Sequence, residues 1–429
     1  MLNAKISLIS KIKSKNSVIG IIGLGYVGLE LAITIAKNKY QIYGFDKNLK
    51  KIEILKNGKS PINTINSKSI KFLNKNNLFH TNKINYILQC DIIIICLPTP
   101  LKKNNSPDVS YLNDCYNSIS PYLRENQMII LESTVYPGAT KELFEKKISK
   151  RFKIGKNFYI CFSPERISPG KKLSYEYSQI PKIISGRTKE CVNNVSVFYK
   201  RIFETVHTCK TIEIAEFTKL YENAFRAVNI AFVNQMKIIC DKIGINISEV
   251  VRAASTKPFG FTPFNSGPGV GGHCIPIDPM FIAHVAKKFK VNSNFIELAR
   301  KVNLETTNWI IKKIKNKIKK GKSILILGVA YKKNIDDYRE SPAIKIIDQL
   351  KKDYKVKFYD PFISKVSINL KDLYSIKKLL YKNLINFSAV VIVTDHDNID
   401  YKKIIKYSKI IFDTRNILDS NLSKKIISC

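Results

Sequence analysis

A glycine-rich turn near the N-terminus constrains the fold of this chain more than any other feature. Residues 18–22 form a short apolar run typical of a buried strand, and Gly23-Leu24-Gly25-Tyr26-Val27-Gly28 follows at once. Residues 29–36 then show a helical pattern, and residues 41–46 form a second strand-like run that ends in Asp46. A strand, a G-x-G-x-x-G turn, a helix, a second strand and a terminal acid together indicate a dinucleotide-binding βαβ unit. The alternative is a glycine-rich turn without a ligand, and the ordered context disfavours it.

Each position of this unit has an expected task. Gly23 allows the tight turn, Gly25 lets a pyrophosphate approach the backbone, and Gly28 lets the helix pack closely against the strand. Asp46 is placed to accept hydrogen bonds from a ribose, and it would repel a 2′-phosphate, so the pattern favours NAD over NADP. The predicted cofactor contacts in this unit are Gly23, Leu24, Gly25, Tyr26, Val27, Gly28 and Asp46.

Further apolar runs predict the rest of the architecture. Strand-like runs at 91–96 and 128–132, separated by helical stretches, predict a doubly wound parallel sheet, a fold of the α/β class. The loops after these strands contain Pro98, Thr99, Ser133 and Thr134, at the sheet edge where such folds bind ligands, so these residues are further predicted cofactor contacts. Residues 211–242 predict one long helix, and runs at 323–328, 355–360 and 389–395 predict a second Rossmann-like sheet.

We therefore expect two Rossmann-like domains joined by a long central helix and a helical middle domain. The predicted boundaries are 1–205 for the NAD-binding domain, 206–310 for the helical domain and 311–429 for the C-terminal domain. Because the long helix is apolar on more than one face, part of it is expected to pack against a second subunit, as a homodimer or a higher homo-oligomer.

Composition narrows the class of protein. The net charge of +38 suggests a nucleic-acid partner at first sight, but 62 of the 72 basic residues are lysines spread along the chain. Lysine, asparagine and isoleucine share A/T-rich codons, so a biased genome explains the charge and no nucleic-acid partner is expected. No apolar run has the length of a membrane span, so no membrane insertion is expected. Nine cysteines without a C-x-x-C pair disfavour disulfides and a metal site, and a cytoplasmic location is expected.

A second glycine-rich segment, at 267–279, carries the strongest indication of chemistry. Glycine occupies four of the six positions from 267 to 272, and Cys274 and Asp278 follow. Such a run lets a ligand approach the backbone closely and offers amides to anionic oxygens. Cys274 is therefore predicted to be a nucleophile, and the alternative is a buried thiol beside a structural turn.

The chain resembles the UDP-glucose/GDP-mannose dehydrogenase superfamily from Val18 to its C-terminus. The motifs that match in order are GLGYVG, Glu132-Ser133-Thr134 with Tyr136-Pro137-Gly138, Ser163-Pro164-Glu165-Arg166, Lys219 with Asn223, Gly271-Gly272-His273-Cys274 with Asp278, and Lys332-Lys333 with Arg339-Glu340-Ser341. The resemblance implies that the C6 alcohol of a nucleotide sugar is oxidised to a carboxylate in two steps, with two NAD+ and no metal.

The resemblance also implies roles for individual residues. Cys274 forms a thiohemiacetal and then a thioester, Lys219 and Asn223 stabilise the oxyanion, and His273 is a loop residue rather than the base. Asp278 and Thr134 hold the catalytic water, and Glu165 acts as acid and base in hydrolysis. Arg339 is an expected cofactor contact. The expected substrate contacts are Glu165, Arg166, Lys219, Asn223, Lys257, Gly271, Gly272, Lys332 and Arg415.

The choice of sugar is read from smaller differences. Pro169 stands where UDP-glucose enzymes of the superfamily carry a second glutamate, and the segment 256–261 resembles the branch that acts on UDP-N-acetylhexosamines. UDP-N-acetylglucosamine is the first expectation, for surface polysaccharides such as O-antigen or capsule. UDP-N-acetylgalactosamine, UDP-N-acetylmannosamine and UDP-glucose stay open. A hypothesis of another class is a basic nucleic-acid-binding or regulatory protein on a Rossmann scaffold.

Overall fold

The computed structural model describes residues 7–63, 65–75, 78–167, 176–419 and 422–429 of the 429-residue chain. Two compact units divide it, Met1–Glu222 and Asn223–Cys429. The predicted division into three at residues 205/206 and 310/311 stays a prediction. No helix in the described ranges has both the length and the apolar character needed to cross a membrane.

A mostly parallel sheet organises the first unit. Its strands are β1 (Val18–Ile22), β2 (Gln41–Phe45), β3 (Leu78–Thr81), β4 (Ile92–Ile95), β5 (Gln127–Leu131), β6 (Phe158–Phe162), β7 (Lys182–Gly186) and β8 (Val206–Thr208). Their order across the sheet is β3-β2-β1-β4-β5-β6-β7-β8, and β6 and β7 form its antiparallel pair. This order, with strands that follow the chain outward in both directions from β1 and β4, confirms the predicted doubly wound fold.

The register of the central strands aligns their carboxyl ends. Ile22 at the end of β1 is paired with Phe45 and with Ile95, and Ile95 is paired with Leu131. The loops that follow β1, β2, β4 and β5 therefore start at the same edge of the sheet. Gly23 lies at this edge, together with the loop at 97–99 and the loop at 133–134.

Helices cover the sheet of the first unit. They are α1 (Leu8–Lys13), α2 (Tyr26–Lys37), α3 (Leu49–Lys56), α4 (Ser67–Lys75), α5 (Ser110–Ile119), α6 (Lys146–Ile148) and α7 (Lys189–Tyr199), with 3₁₀ turns at Ile84–Gln89, Ser120–Tyr122 and Tyr177–Gln179 and a π-type turn at Lys141–Glu145. Helix α2 begins directly after Gly25, and its Leu31 and Ile35 are buried in the core of this unit. It starts three residues before the predicted run at 29–36, because the glycine turn itself supplies the first turn of the helix.

Strand β4 consists of four consecutive isoleucines, and all four are buried. Asp91 precedes them and fastens the start of the strand to Val18 of β1. The Asp91 amide donates to the Val18 carbonyl at 2.8 Å, and the Asp91 carboxylate accepts from the Val18 amide at 3.1 Å. Lys11 and Arg124 both form ion pairs with the same carboxylate at 2.9 Å.

Helices fill the middle of the sequence. They are α8 (Ile212–Ile243), α9 (Ile247–Ala254), α10 (Asp278–Lys288) and α11 (Asn294–Lys317). Helix α8 has 32 residues and confirms the long helix predicted at 211–242. Within the second unit, Ala231 of α8 packs with Ala299 and Val302 of α11.

A smaller parallel sheet lies in the second unit. The strands of this unit are β9 (Ser323–Leu327), β10 (Lys355–Tyr359), β11 (Lys365–Ile368), β12 (Lys371–Tyr374), β13 (Ala389–Ile392), β14 (Ile411–Asp413) and β15 (Ile426–Ser428). The order in the sheet is β10-β9-β13-β14-β15, and β11 and β12 form a separate antiparallel hairpin. The helices are α12 (Pro342–Leu350) and α13 (Tyr401–Tyr407), with a 3₁₀ turn at Tyr381–Asn386. Ile324 and Ile326 belong to one core and Leu325 and Leu327 to another. Both faces of β9 are thus buried, as expected for a parallel Rossmann-like sheet.

Candidate active site

The three glycines of the first turn differ in the space around them. A Cβ on Gly28 would lie 2.0 Å from the Gly23 carbonyl oxygen, and a Cβ on Gly23 would lie 2.6 Å from the Cys96 carbonyl oxygen. Gly23 also has φ +97°, a conformation that side chains rarely adopt. A Cβ on Gly25, in contrast, would meet no atom within 4 Å. Two glycines are therefore required by the fold, and the open space at Gly25, at the N-terminus of α2, fits a pyrophosphate.

The carboxylate of Asp46 is held in place at the end of β2. It accepts from the Leu24 amide at 3.1 Å and from the Asn48 amide at 2.9 Å. Lys51 forms an ion pair with it at 2.6 Å. This contact could not be predicted from the sequence, because lysines occur throughout the chain. The pair places a cation beside the predicted ribose site.

The loops after β4 and β5 are fastened to each other. The Leu97 amide donates to the Ser133 hydroxyl at 2.9 Å, and the Thr99 hydroxyl donates to the Thr134 carbonyl at 2.6 Å. The structure thus brings together Thr99, Ser133 and Thr134, which were predicted from separate segments. Pro98 lies between Leu97 and Thr99 and is exposed.

Glu165 follows β6 and is buried among polar groups. It accepts from the amides of Arg166 and Ile167 at 2.6 Å each, and from the Tyr177 hydroxyl. The Lys182 ammonium lies 3.2 Å from its second oxygen. Burial by itself raises the pKa of Glu165, but the Lys182 charge and these hydrogen bonds together hold it below its usual value.

Arg166 contacts helix α8, and Lys219 belongs to it. The Arg166 guanidinium forms a two-pronged contact with Glu222, at 2.6 and 3.3 Å. Lys219 is half-buried on α8. Pro169, on which the choice of sugar partly depended, lies outside the described residues.

Glu216, which was not among the predicted site residues, anchors α8 in the first unit. Its carboxylate accepts from the amides of Gly138 and Thr140 and from the Thr140 hydroxyl, at 2.6, 2.9 and 2.7 Å. Burial raises the pKa of Glu216 to about 7, although these hydrogen bonds lower it in part. The turn that follows Thr134 is therefore fixed to the helix that carries Lys219.

In the second unit, the glycine-rich segment is held tightly by its surroundings. A Cβ on Gly271 or on Gly272 would come within 2.8 and 2.7 Å of the Tyr331 side chain. The Gly272 amide donates to the Arg339 carbonyl at 2.9 Å, and the Gly267 amide donates to the Asn234 side chain at 2.9 Å. The expectation that this run offers its amides to anionic oxygens is therefore wrong for these two residues, because other parts of the unit already use them.

Cys274 follows the glycines of this segment and stands four residues before the start of α10. Its carbonyl accepts from the Asp278 amide at 2.8 Å, and its side chain is half-buried. Asp278 is the first residue of α10, and its carboxylate accepts from the Asn223 side chain at 2.5 Å; both residues are buried. The structure therefore brings Asn223 and Asp278 together, and Asp278 stands four residues after the thiol-bearing Cys274.

Two predicted site residues of the C-terminal region, Arg339 and Arg415, contact the glycine-rich segment at 267–279. Arg339 is held by Asp337 at 2.6 Å and also contacts His273, the neighbour of Cys274, at 3.2 Å. Arg415 donates to the Val393 carbonyl at 2.8 Å, and its guanidinium packs against Gly267.

Two other predicted substrate contacts, Lys332 and Lys257, differ in their surroundings. Lys332 is half-buried on the loop that follows β9. Lys257 is exposed, and in the described part of the chain its ammonium lies over the Phe259 ring, 4.9 Å from the centroid, rather than against another predicted site residue.

Lys237 is a further residue that the sequence did not reveal. Its side chain is 2 % exposed, and its ammonium donates to the carbonyls of Gly267 and Thr414 at 3.3 and 3.0 Å. Burial lowers the pKa of Lys237 to about 8. Lys237 thus joins the glycine-rich segment to the turn that carries Arg415.

Taken together, these features define a dinucleotide-binding oxidoreductase with a cysteine in a glycine-rich loop. Three family models match in order: the NAD-binding, central and UDP-binding domains of the UDP-glucose/GDP-mannose dehydrogenase family, at residues 17–203, 213–305 and 325–420. The chain belongs to this family, and it is an NAD-dependent nucleotide-sugar dehydrogenase. The predicted family, fold class and cofactor are confirmed.

Similar proteins extend along nearly the whole chain. The UDP-N-acetyl-D-mannosamine dehydrogenase of Methanococcus vannielii is 34% identical over 96% of each chain. The UDP-N-acetyl-D-glucosamine 6-dehydrogenase of Salmonella typhi is 32% identical over 94% of this chain and 97% of its own. The solved UDP-N-acetyl-mannosamine dehydrogenase Cap5O of Staphylococcus aureus is 30% identical, covers 94% of this chain and 96% of its own, and superposes with a TM-score of 0.80. Relatives named for two different sugars therefore match about equally well.

Proposed function

We propose that this protein oxidises the C6 alcohol of a UDP-N-acetylhexosamine to a carboxylate, with UDP-N-acetyl-D-glucosamine as the first candidate. The observation that carries the proposal is the arrangement around Cys274. The half-buried thiol follows glycines that pack against Tyr331, and Asp278, which accepts a hydrogen bond from Asn223, stands four residues further on. A thiol four residues before a buried, hydrogen-bonded carboxylate suits covalent catalysis on an aldehyde.

Cysteine chemistry explains how one protein can remove four electrons. Bound NAD+ supplies the hydride acceptor for both oxidations. After the alcohol has become an aldehyde, the Cys274 sulfur adds to the carbonyl carbon and gives a thiohemiacetal. Oxidation of that adduct leaves a thioester, and water then releases the carboxylate and the Cys274 thiol. Two NAD+ are reduced for each sugar consumed.

The other site residues serve charge and proton movement in this proposal. Lys219 and Asn223 stabilise the oxyanion, since a positioned cation and an amide donor are what a developing negative charge requires. Asp278 and Thr134 hold the water. Glu165 accepts the water proton, and the contacts that lower its pKa favour the ionised form that a base needs.

UDP-N-acetyl-D-mannosamine is the second candidate substrate, and the relatives from Methanococcus vannielii and Staphylococcus aureus favour it. The two sugars differ only in configuration at the carbon that carries the acetamido group. The product of either would serve surface polysaccharides such as capsule or O-antigen. UDP-N-acetylgalactosamine and UDP-glucose complete the panel for the assay.

Helix α8 carries the proposal of a homodimer. Large apolar side chains along it are exposed, at spacings of three, four and seven residues: Ile214, Phe217, Tyr221, Phe225, Phe232, Ile239 and Ile243. Single apolar residues are common on a protein surface, but a continuous stripe of them along one helix indicates an interface. A second copy of α8 would cover this stripe.

The experiment that tests the function combines a substrate panel with a cysteine exchange. Purified protein with NAD+ and each of the four UDP-sugars should form two NADH per molecule of the preferred sugar, and free N-acetylglucosamine should give none. Cys274→Ala should stop formation of the uronic acid. Cys240→Ala, a change at another half-buried thiol, is the matched control and should keep activity. Steady NADH formation by Cys274→Ala at the wild-type rate would refute the covalent route.

A further inference from the structure

A buried lysine in the first unit was not among the predicted site residues and contacts the proposed base, Glu165. Lys182 is the first residue of β7 and is 3 % exposed. Its ammonium lies 3.0 Å from Glu132 and 3.2 Å from Glu165, and both carboxylates are themselves buried. A lysine is almost never buried so completely unless it is paired, so the surroundings of Lys182 are organised to hold its charge.

Two tyrosines complete the surroundings of the lysine. The Tyr199 hydroxyl donates to Glu132 and the Tyr177 hydroxyl donates to Glu165. The Lys182 ammonium also lies 5.3 Å from the ring centroids of Tyr199 and Phe203. One cation therefore serves two carboxylates in a space lined by aromatic rings.

The two carboxylates are not equivalent. Glu165 accepts additional bonds from two backbone amides, whereas the second oxygen of Glu132 has no hydrogen-bond partner among the described residues. Burial raises the pKa of Glu132, and the charge of Lys182 offsets this only in part. Since one ammonium cannot neutralise two carboxylates, a proton in the cluster is expected on Glu132, and Glu165 keeps its charge.

Other titratable groups face the cluster without changing this order. Glu30 of α2 has its pKa raised, first by burial and then by the charge of Glu165. Cys96, after β4, has its pKa raised by burial and is a neutral thiol. Arg166 is engaged by Glu222. Among the described residues, Lys182 is thus the cation in direct contact with Glu165.

We propose that Lys182 is a positioning residue that keeps Glu165 ionised and oriented as the base of thioester hydrolysis. The inference rests on the proposed function. In the step concerned, the water oxygen bonds to the thioester carbonyl carbon and one water proton passes to the Glu165 carboxylate. The carbon–sulfur bond breaks, and the sulfur electron pair leaves on Cys274. The proton from Glu165 balances that thiolate, so the products are a carboxylic acid and a thiol, and no oxidant is consumed.

Exchange of Lys182 should therefore slow one step of the reaction and leave the earlier ones. In Lys182→Met, hydrolysis is expected to be on the order of 100-fold slower, the typical contribution of a general base. The acyl adduct on Cys274 should then accumulate and appear as an added sugar-nucleotide mass in the quenched, intact protein. Because the pKa of Glu165 rises when the cation is removed, the acid limb of the pH–rate profile should move to higher pH. Lys182→Arg keeps the charge and should restore the position of that limb.

Controls separate this effect from damage to the fold. Lys200→Met removes an exposed lysine at the end of α7 and should leave the adduct level and the profile as in the wild type. If Lys182→Met does not fold, Lys182→Gln keeps a hydrogen-bond donor and removes only the charge, and the same accumulation is expected. A folded Lys182→Met or Lys182→Gln with the wild-type hydrolysis rate and acid limb would overturn the inference. Failure of the proposed function looks different: the wild-type protein would then form neither NADH nor an adduct on Cys274 with any UDP-sugar of the panel.

Discussion

The first glycine turn allows a test in which neighbouring substitutions have opposite consequences. Gly25→Ala places a methyl group where no protein atom lies within 4 Å, and the backbone there, at φ −89° and ψ −161°, is one that alanine adopts. The free energy of unfolding without ligand should therefore stay the same or rise, by at most about 1 kcal/mol, because alanine has less freedom in the unfolded chain. Gly28→Ala places the same group 2.0 Å from the Gly23 carbonyl oxygen.

The magnitudes follow from what each methyl group meets. At Gly28 the obstacle is backbone, so α2 must move away from β1, and overpacking of this kind costs roughly 1–3 kcal/mol of unfolding free energy. At Gly25 the same range applies instead to the bound pyrophosphate. A loss of about 1–3 kcal/mol in binding corresponds to an NAD+ dissociation constant that is roughly 5- to 150-fold larger.

Calorimetric titration with NAD+ and thermal unfolding with and without NAD+ measure both quantities. At a concentration of about 100 times the wild-type dissociation constant, NAD+ should stabilise the wild-type protein by about 2.7 kcal/mol. For a 30-fold weaker Gly25→Ala variant, the same relation gives less than about 1 kcal/mol. Wild-type affinity in Gly25→Ala, or an unfolding free energy that falls as far as in Gly28→Ala, would refute the assignment of the open space to the cofactor.

Three further predictions concern charge and assembly. Asp46→Ser should weaken the preference for NAD+ over NADP+ by roughly 10- to 100-fold in kcat/KM, because the change also releases Lys51 to meet a 2′-phosphate; an unchanged ratio would contradict this. The folded-state pKa of Lys237, about 8, is below its unfolded value, so the protonated side chain opposes folding below that pH and stability should rise as the pH increases. Between pH 7 and pH 10 the free energy of unfolding, measured with urea, should rise by roughly 2 kcal/mol more in the wild type than in Lys237→Met. Parallel plots of this free energy against pH for the two proteins would disprove the prediction. Light scattering at micromolar concentration should show a dimer that Phe232→Glu dissociates, and a wild-type monomer would exclude the proposed interface.

The sequence predicted seven of the described strands, β1, β2, β4, β5, β9, β10 and β13, because most of them are apolar runs and the glycines after β1 have steric tasks. A run such as 323–328 has no interpretation as a surface helix, and the turn at Gly23 needs a positive φ. Where the pattern is local, in strands and in the residues directly after them, sequence and structure agree.

The pairing of charged groups could not be predicted in the same way. Glu132, Glu165 and Lys182 are separated by 17 residues or more and meet only when β5, β6 and β7 lie side by side. One lysine of the 62 in the chain carries no signal of burial. For the same reason Lys51 and Lys237 were missed, and the expectation for the glycine-rich amides failed because the groups that use them, on Asn234 and Arg339, lie 33 and 67 residues away in the chain.

The four isoleucines of β4 leave that strand without a pattern of its own to fix its alignment. A shift by one residue would exchange identical side chains between the two faces, so burial of apolar surface cannot distinguish the correct pairing from its neighbour. The alignment must therefore be set at the start of the strand, where Asp91 binds both backbone groups of Val18. A slip would carry the loop with Thr99 about 3.3 Å along the sheet and away from Thr134. Asp91 lies at the opposite end of β4 from the catalytic loops, yet it sets the strand register on which the position of those loops depends.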